Sequence, residues 1–256
     1  MTVSDRGTGQ GAAISPLLAN IYLHYVIDLW AERWRRHEAS GDMIIVRYAD
    51  DLVVGFEQES DARHFLDAMR ARLEEFALSL HPDRTRIIEF GPHAGANRNR
   101  RGLGKPETFN FLGFTFICGK SRGGKFKRKT RADRMRARLK EVKVALRQRM
   151  HQPAPDIGKW LGQVVRGFMN YHAVPTNFEA NVAFRRQVIS HWHRALRRRG
   201  DRDRTAWQRI AKLADDYLPK VKILHPWPEQ RFAVRHPRRE PYAGKPHLRF
   251  CVGGAQ

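Results

Sequence analysis

The run MIIVRYADDLVVGF at residues 43–56 constrains the fold of this chain more than any other segment. Two stretches rich in β-branched and aromatic residues flank the tripeptide Ala49-Asp50-Asp51, and short polar residues between such stretches are typical of a turn. The pattern predicts a β-hairpin with both acids at its turn. An antiparallel sheet is therefore expected in the first part of the chain.

The adjacent carboxylates of Asp50 and Asp51 have two interpretations. Neighbouring negative charges repel each other, and a divalent cation relieves that repulsion. Mg²⁺ ions held by aspartates activate a hydroxyl and stabilise the leaving oxygen in phosphoryl transfer. An Asp-Asp pair is also ordinary turn chemistry that needs no ligand. On these residues alone both interpretations stay open.

Helix and strand patterns surround the hairpin. Ser15 and Pro16 predict an N-cap followed by proline in the first turn of a helix, and Ser60 is predicted to open a second helix. Further signals in this half are a strand at 84–90, a Gly- and Arg-rich loop at 91–107, one strand at 109–118 and, after a turn at Gly123-Gly124, a partner at 125–129.

The second half of the chain has helical periodicity. Thr130 with Asp133 resembles a capping box, and the apolar stripes after it predict three or four packed helices. The tail after Pro219 is rich in Pro, Gly and Arg and is predicted to be mostly irregular. The predicted fold class is therefore α+β, with antiparallel hairpins and helices first and an all-helical part after them.

Charge divides the chain in a similar way. Residues 1–97 carry 10 Lys and Arg against 15 Asp and Glu, residues 98–149 carry 18 against 3, and residues 150–256 carry 20 against 8. This distribution favours acidic chemistry in the first part and phosphate binding in the rest. A generally basic protein without a polyanionic partner is the simpler alternative. No apolar run of about 18 residues occurs, so no membrane partner is expected.

The two cysteines, Cys118 and Cys251, are too few for a disulfide scaffold or a paired zinc site. A reducing, cytoplasmic setting fits them best.

Four ordered segments of the chain resemble the group II intron reverse transcriptases: GTGQGAAISPLLANIYLH, VRYADDLVVGF, LHPDRTRIIEF and FNFLGF. The later segments VRGFMNYHAVPTN, HRALRRRG and ILHPWPEQRF are similar to the thumb and maturase region of that family. The resemblance implies a partial polymerase palm at 1–129, a helical thumb and maturase domain at 130–220 and an irregular basic tail at 221–256. It implies RNA-directed DNA synthesis and binding of group II intron RNA and an RNA/DNA duplex.

The resemblance also implies roles for particular residues. Asp50 would bind the catalytic Mg²⁺ and Asp51 would support the site as a second catalytic and metal-binding carboxylate. The residues implied to line the template and nucleotide pocket are Gln10, Gly11, Ser15, Pro16, Tyr48 and Arg84. The residues implied to grip the primer are Phe111, Leu112 and Gly113, within a hairpin formed by FNFLGF.

A dense set of cations after residue 124 predicts RNA binding, because like charges at helical spacing otherwise destabilise a helix. Residues 127, 131, 134 and 138 would share one helix face if the helix begins early. A solvated basic face is the alternative. The candidate RNA-binding residues are Lys127, Arg128, Lys129, Arg131, Arg134, Arg138, Arg166, Asn170 and Tyr171.

The chain departs from the family pattern at three places. The family's other metal-binding aspartate belongs to a strand that precedes Gly7, and neither Asp5 nor Asp28 matches it. We therefore expect no nucleotide incorporation by these residues alone, with a separate N-terminal fragment as a further candidate partner. Gly9 stands where proline is usual, and Arg84 where lysine is usual; arginine can neutralise a leaving pyrophosphate but cannot donate a proton to it.

Two other functions remain candidates from the sequence. A non-catalytic maturase would use the basic helices to stabilise folded intron RNA, which then splices itself. A general nucleic-acid packaging protein would bind intron RNA and random RNA equally well.

Overall fold

The computed structural model describes residues 14–119, 126–199 and 207–227, together with the backbone of 249–254. The chain forms two compact units, one within residues 1–111 and 244–256 and the other within residues 112–243. The predicted α+β class is confirmed. The domain boundaries predicted after residues 129 and 220 stay predictions. Among the described residues, none of the helices combines the length and apolarity needed to cross a bilayer.

The first unit combines helices with one antiparallel sheet. Its elements in chain order are α1 (Ser15–Leu23), a π-helical turn (His24–Asp28), α2 (Leu29–His37), β1 (Met43–Tyr48), β2 (Asp51–Phe56), α3 (Glu59–Glu75), β3 (Arg86–Glu89), α4 (Ala94–Arg100), β4 (Thr108–Phe111) and, from the end of the chain, β7 (Arg249–Gly254). The sheet order is β1-β2-β7-β3, and every neighbouring pair is antiparallel.

Helix α1 begins where proline can be accommodated. Pro16 lies in its first turn, where backbone N–H groups have no acceptor within the helix, so the N–H that proline lacks costs no hydrogen bond. The predicted N-cap at Ser15 is wrong by one residue, because Ile14 occupies that position and makes no side-chain cap hydrogen bond. The predicted second helix likewise begins one residue early, at Glu59.

The core of the first unit lies between β2 and the helices. Residues 52–56 of β2 are all buried, and α3 packs on this strand. Trp34 of α2 meets Phe65 of α3 edge to face with ring centroids 5.0 Å apart, and it meets Phe56 of β2 at 6.1 Å. Such aromatic contacts stabilise a core beyond the area they bury. The β2 strand is thereby held against the helices, and the hairpin turn projects from this packed support.

Three of the sequence predictions differ in detail from the structure. The tail that we expected to be mostly irregular contains a strand at 249–254, because Phe250 and Val252 favour a β-ladder despite the Pro- and Arg-rich surroundings. The predicted loop at 91–107 contains α4, whose Ala94 is buried. The single strand predicted at 109–118 is two strands, β4 and β5 (Phe114–Ile117), separated by a turn.

The second unit is mainly helical. Its elements are β5, β6 (Lys127–Thr130), α5 (Ala132–Gln148), α6 (Ala154–His172), α7 (Phe178–Arg197) and α8 (Trp207–Tyr217). β5 pairs antiparallel with β6, α5 packs on α7, and α8 packs on α6. We predicted three or four helices, and the four that are described bury one continuous apolar core that includes Ile157, Leu161, Val165, Phe184, Val188, Trp192 and Leu196.

A buried amide network joins β6 to the loop between α6 and α7. The Thr130 N–H donates to Asn177 Oδ1 at 2.9 Å, and Asn177 Nδ2 donates to Thr130 Oγ1 at 2.8 Å. Asn181 Nδ2 donates to the His172 carbonyl at 2.9 Å. Thr130 is therefore not the helix cap that we predicted; Arg131 is the N-cap residue and makes no side-chain cap hydrogen bond.

Gly162 lets α8 approach α6 closely, which leads to a stability prediction. A Cβ at this position would lie 2.5 Å from the Tyr217 carbonyl oxygen, a backbone atom that cannot move aside. We expect Gly162→Ala to destabilise the protein by about 1–3 kcal/mol through overpacking, despite the higher helix propensity of alanine. Thermal unfolding measures this as a fall in Tm of several degrees, roughly 2–4 °C per kcal/mol.

Gly167→Ala is the matched control for this change. Gly167 lies on the same helix, and nothing lies within 4 Å of a Cβ built there. We expect this variant to be neutral or more stable by up to about 1 kcal/mol. Equal Tm values for the two variants would contradict the close packing inferred at Gly162.

Candidate active site and nucleic-acid interface

The hairpin predicted from MIIVRYADDLVVGF is present, and its turn carries the two candidate metal-binding carboxylates. Tyr48 pairs with Asp51 at the end of the ladder, so Ala49 and Asp50 form a two-residue turn. Ala49 has a φ of 53°, a left-handed conformation that costs a residue other than glycine about 1–3 kcal/mol. Both carboxylates are exposed, so a cation in solution can reach them directly.

Arg47 holds this turn from within strand β1. Its Nε and Nη2 donate to the two carboxylate oxygens of Asp28 at 2.7 and 2.6 Å. Its Nη1 donates to Asn20 Oδ1 at 3.0 Å and to the Ala49 carbonyl at 2.9 Å. The guanidinium therefore connects α1, the π-helical turn and the acidic turn through four hydrogen bonds.

Asp28 is the counter-ion of Arg47. It is half-buried and forms a bidentate ion pair at the end of the π-helical turn. Hydrogen bonds from Arg47 lower the pKa of Asp28 below its ordinary value, and the same bonds raise the pKa of Arg47. Both residues are therefore charged at neutral pH, and both oxygens of the Asp28 carboxylate already accept hydrogen bonds from Arg47. Asp5 lies outside the described residues.

The donor chemistry at the turn fits Mg²⁺. This ion prefers carboxylate oxygens, and it commonly binds one or two of them with water and substrate phosphates completing its shell. In the described part of the chain, no group of three or more His, Cys, Asp or Glu residues is placed to hold a metal ion. Asp50 and Asp51 therefore form an open pair of ligands and not a closed structural site.

The other residues predicted to line the nucleotide pocket lie on separate elements. Tyr48 is exposed and ends β1, beside the turn. Ser15 and Pro16 begin α1, the helix whose Asn20 contacts Arg47. Arg84 is exposed in the turn that precedes β3, and its backbone N–H donates to the His81 carbonyl. Gln10 and Gly11 lie outside the described residues, as does Gly9.

The segment predicted to grip the primer contains a tight turn. Phe111 ends β4, whereas Leu112 and Gly113 both have positive φ values, 46° and 75°. The Tyr171 hydroxyl donates to the Leu112 carbonyl at 2.8 Å, and the Arg131 N–H donates to the Gly113 carbonyl at 3.0 Å. The end of α6 and the residue that precedes α5 therefore hold both turn carbonyls in place.

A groove with a cationic rim and aromatic floor lies beside this turn in the second unit. It has a volume of about 250 Å³ and is lined by Arg134, Arg138, Gly167, Phe168, Tyr171 and His172. Tyr171 is 52% exposed and stacks on Phe114 with ring centroids 5.6 Å apart. Exposed aromatic faces next to arginines are the elements that single-strand nucleic-acid binding proteins combine.

The imidazole of His172 belongs to the packed floor of this groove. It stacks on Phe168 with centroids 4.1 Å apart and also contacts the Phe114 ring. Burial lowers its pKa below the ordinary value, so the ring is neutral at pH 7. Positive charge at the groove therefore comes from the arginines and not from this histidine.

The predicted RNA-binding residues are only partly on one face. Helix α5 begins at Ala132, because β6 extends to Thr130 in its pairing with β5. The shared face predicted for 127, 131, 134 and 138 is therefore wrong at its first two positions. Three of the nine predicted residues line the groove: Arg134, Arg138 and Tyr171. Three others, Lys127, Arg128 and Lys129, lie on β6. The remaining three are elsewhere: Arg131 pairs with Asp133, and Arg166 and Asn170 are exposed on α6.

Sequence reasoning missed the structural roles of two residues that organise these surfaces, Arg47 and His172. A signal for Arg47 was present, because an arginine between Val46 and Tyr48 interrupts an apolar strand and needs a counter-ion when it is buried. For His172 there was no comparable signal, since its partners are fixed by the packing of α6 against other elements.

An antiparallel sheet with paired carboxylates at a hairpin turn, followed by a helical unit, is consistent with a partial polymerase palm and the helices that follow it. Comparison with known families supports this class: residues 2–116, less than half of the 256-residue chain, match the model of the reverse transcriptase (RNA-dependent DNA polymerase) family. The match includes the whole β1–β2 hairpin. No curated protein matches the chain. These findings support a reverse transcriptase, that is, an RNA-directed DNA polymerase.

Proposed function

We propose that this protein is a group II intron reverse transcriptase and maturase, which copies RNA into DNA and binds the intron RNA. The single observation that carries the proposal is the acidic turn: two exposed carboxylates at a two-residue hairpin turn, held by a partly buried arginine within the part of the chain that matches reverse transcriptases.

Asp50 and Asp51 would hold Mg²⁺ at this turn. When bound, the ion supplies activation of the primer hydroxyl and stabilisation of the leaving oxygen. The residues of the chain provide a rigid hairpin for the carboxylates and leave their outer side open to a nucleotide and primer. Tyr48, exposed beside the turn, is available to contact the substrate, and Arg84 would neutralise charge on the pyrophosphate.

The groove in the second unit supports the RNA-binding part of the proposal. Arg134 and Arg138 would contact phosphates, and the exposed ring of Tyr171 would stack on a base. The adjacent turn at Leu112 and Gly113 would contact the primer strand. The partners proposed are therefore group II intron RNA, an RNA/DNA duplex and, for polymerisation, a separate N-terminal fragment.

A non-catalytic maturase is the second candidate. It is favoured by the groove of the second unit, because every residue that lines this groove lies outside residues 2–116, which match the reverse transcriptase family. In that case the groove would act alone in binding the intron, and the carboxylates would have no role in it.

Two assays on the full chain test these functions. Primer extension on an RNA template, with and without Mg²⁺ and with and without an added N-terminal reverse transcriptase fragment, tests polymerisation. Competition of group II intron RNA against random RNA of equal length tests recognition. Mg²⁺-dependent extension in either form of the assay supports the reverse transcriptase. Intron preference without extension supports the non-catalytic maturase, and equal affinity for both RNAs supports a packaging protein.

A further inference from the structure

Arg47 has the least exposed side chain among the ion-paired arginines that the structure describes in the first unit. Its side chain is 13% exposed, whereas Arg63 on α3, which also forms an ion pair, is 68% exposed. Buried arginines are found where a fixed fork of donors is needed, since their desolvation must be repaid by several well-aligned hydrogen bonds. Here all three guanidinium nitrogens donate, and they do so to three different residues.

The four bonds divide into an anchor and a contact with the turn. The bidentate pair with Asp28 fixes the plane of the guanidinium. With that plane fixed, Nη1 reaches Asn20 Oδ1 at 3.0 Å and the Ala49 carbonyl at 2.9 Å. The Ala49 carbonyl belongs to the peptide unit that leads directly into Asp50. The orientation of that peptide is therefore coupled to two helical segments outside the hairpin.

The conformation of Ala49 shows why such a contact is needed. Its left-handed φ of 53° is one that alanine rarely adopts unless the surroundings hold it there. A hydrogen bond to its own carbonyl oxygen favours the observed peptide orientation over alternatives. Without this bond the turn has other backbone conformations available, and the carboxylate of Asp50 would sample several directions.

We propose that Arg47 is a positioning residue that fixes the peptide between Ala49 and Asp50 and so presents the Asp50 carboxylate to a divalent cation. It does not touch the cation or the reacting groups. Only one part of this proposal rests on the proposed function, namely that the Asp50 carboxylate binds a divalent cation. The part that concerns the orientation of the turn by Arg47 stands independently.

Arg47→Lys is the informative substitution. It keeps the charge beside Asp28, but its single ammonium group cannot form the bidentate pair and also reach Asn20 and the Ala49 carbonyl. Asn20→Ala is the second variant, because it removes one partner of Nη1 and leaves the ion pair with Asp28 intact. Arg63→Lys is the matched control, since Arg63 pairs with Glu59 on the exposed side of α3.

The first readout is the motion of the turn itself. In the full chain, NMR relaxation gives order parameters for the amides of Ala49 and Asp50, which are about 0.85 for rigid backbone and below about 0.6 for flexible backbone. We expect rigid values in the parent protein and in Arg63→Lys, flexible values in Arg47→Lys, and intermediate values in Asn20→Ala. The amides of the buried strand β2 should stay rigid in all four proteins.

The second readout is a titration with Mg²⁺ alone, followed by the chemical shifts of Asp50 and Asp51. We expect Arg47→Lys to weaken binding about 10-fold, the lower range for partners that orient metal ligands. Parent-like order parameters and parent-like Mg²⁺ affinity in Arg47→Lys would overturn the proposal. Should Arg47→Lys fail to fold, Asp28→Asn replaces it, because asparagine offers one acceptor oxygen in place of two and so releases the plane of the guanidinium; a parent-like turn in that variant would overturn the proposal instead.

The outcomes separate this role from the proposed function. A mobile turn in Arg47→Lys, together with no primer extension by the parent under any condition, leaves the positioning role standing and removes the polymerase. Primer extension by the parent, together with an unchanged turn in Arg47→Lys, supports the polymerase and removes the positioning role.

Discussion

Asp50→Asn is expected to lower DNA synthesis on an RNA template by at least about 1,000-fold, in whichever assembly of the protein extends a primer. Asparagine keeps the size of the side chain but removes the negative charge that would hold Mg²⁺. A catalytic metal stabilises the transition state by several kcal/mol, and each 1.36 kcal/mol corresponds to a tenfold change in rate. The rate of extension of an end-labelled primer at saturating Mg²⁺ measures the effect.

Asp42→Asn is the matched control for this change. Asp42 is an exposed aspartate just before β1, at the opposite end of the hairpin from the turn, and the hydrogen bonds that join it to Glu57 use its backbone and not its carboxylate. The two variants have the same net charge, so a general electrostatic effect would lower both rates equally. We expect the control to extend primers at the parent rate and Asp51→Asn to show a smaller loss than Asp50→Asn.

The same variant separates the two proposed activities. If Asp50→Asn loses DNA synthesis and still assists splicing of the intron RNA, the protein carries both functions, with the carboxylate serving one of them. Parent-like extension by Asp50→Asn would contradict the assignment of the turn as the catalytic site.

The secondary structure of this chain was largely predictable because its signals are local. Proline in the first turn of α1, alternating apolar residues around Asp50 and helical stripes after residue 130 each act within a few residues. Periodicity alone did not predict that the turn at Leu112 and Gly113 divides the strand, because the alternation of aromatic residues continues on both sides of the turn. The resemblance of FNFLGF to a hairpin was the better guide there, since it included the turn residues.

The contacts that give the candidate sites their geometry were not predictable, because they join residues far apart in sequence. Arg47 bonds to Asp28 and Asn20, which are 19 and 27 residues away. Thr130 bonds to Asn177, 47 residues away, and so is not free to cap α5. Periodicity places each of these side chains on an element but does not tell which other element it meets.

Arginine and tyrosine at the groove should contribute to RNA binding by different physical mechanisms, which salt dependence can separate. We expect Arg134→Gln combined with Arg138→Gln to weaken binding of single-stranded RNA by about 100-fold near 0.1 M salt, at roughly 1.5 kcal/mol for each charged hydrogen bond lost. The slope of log K against log salt should become less steep by about 0.7 for each phosphate contact removed, or about 1.4 for the pair.

Tyr171→Ala should weaken binding about tenfold through lost stacking, with the salt slope unchanged because no charge is removed. Arg63→Gln combined with Arg70→Gln is the charge-matched control, since both residues lie on the exposed surface of α3 in the first unit and pair with acids on that helix. Fluorescence anisotropy with labelled RNA between 50 and 500 mM salt, taken as round test values, measures affinity and slope together. If the control pair lowers the slope as much as the groove pair, RNA is held by overall charge, and the groove is not the binding site.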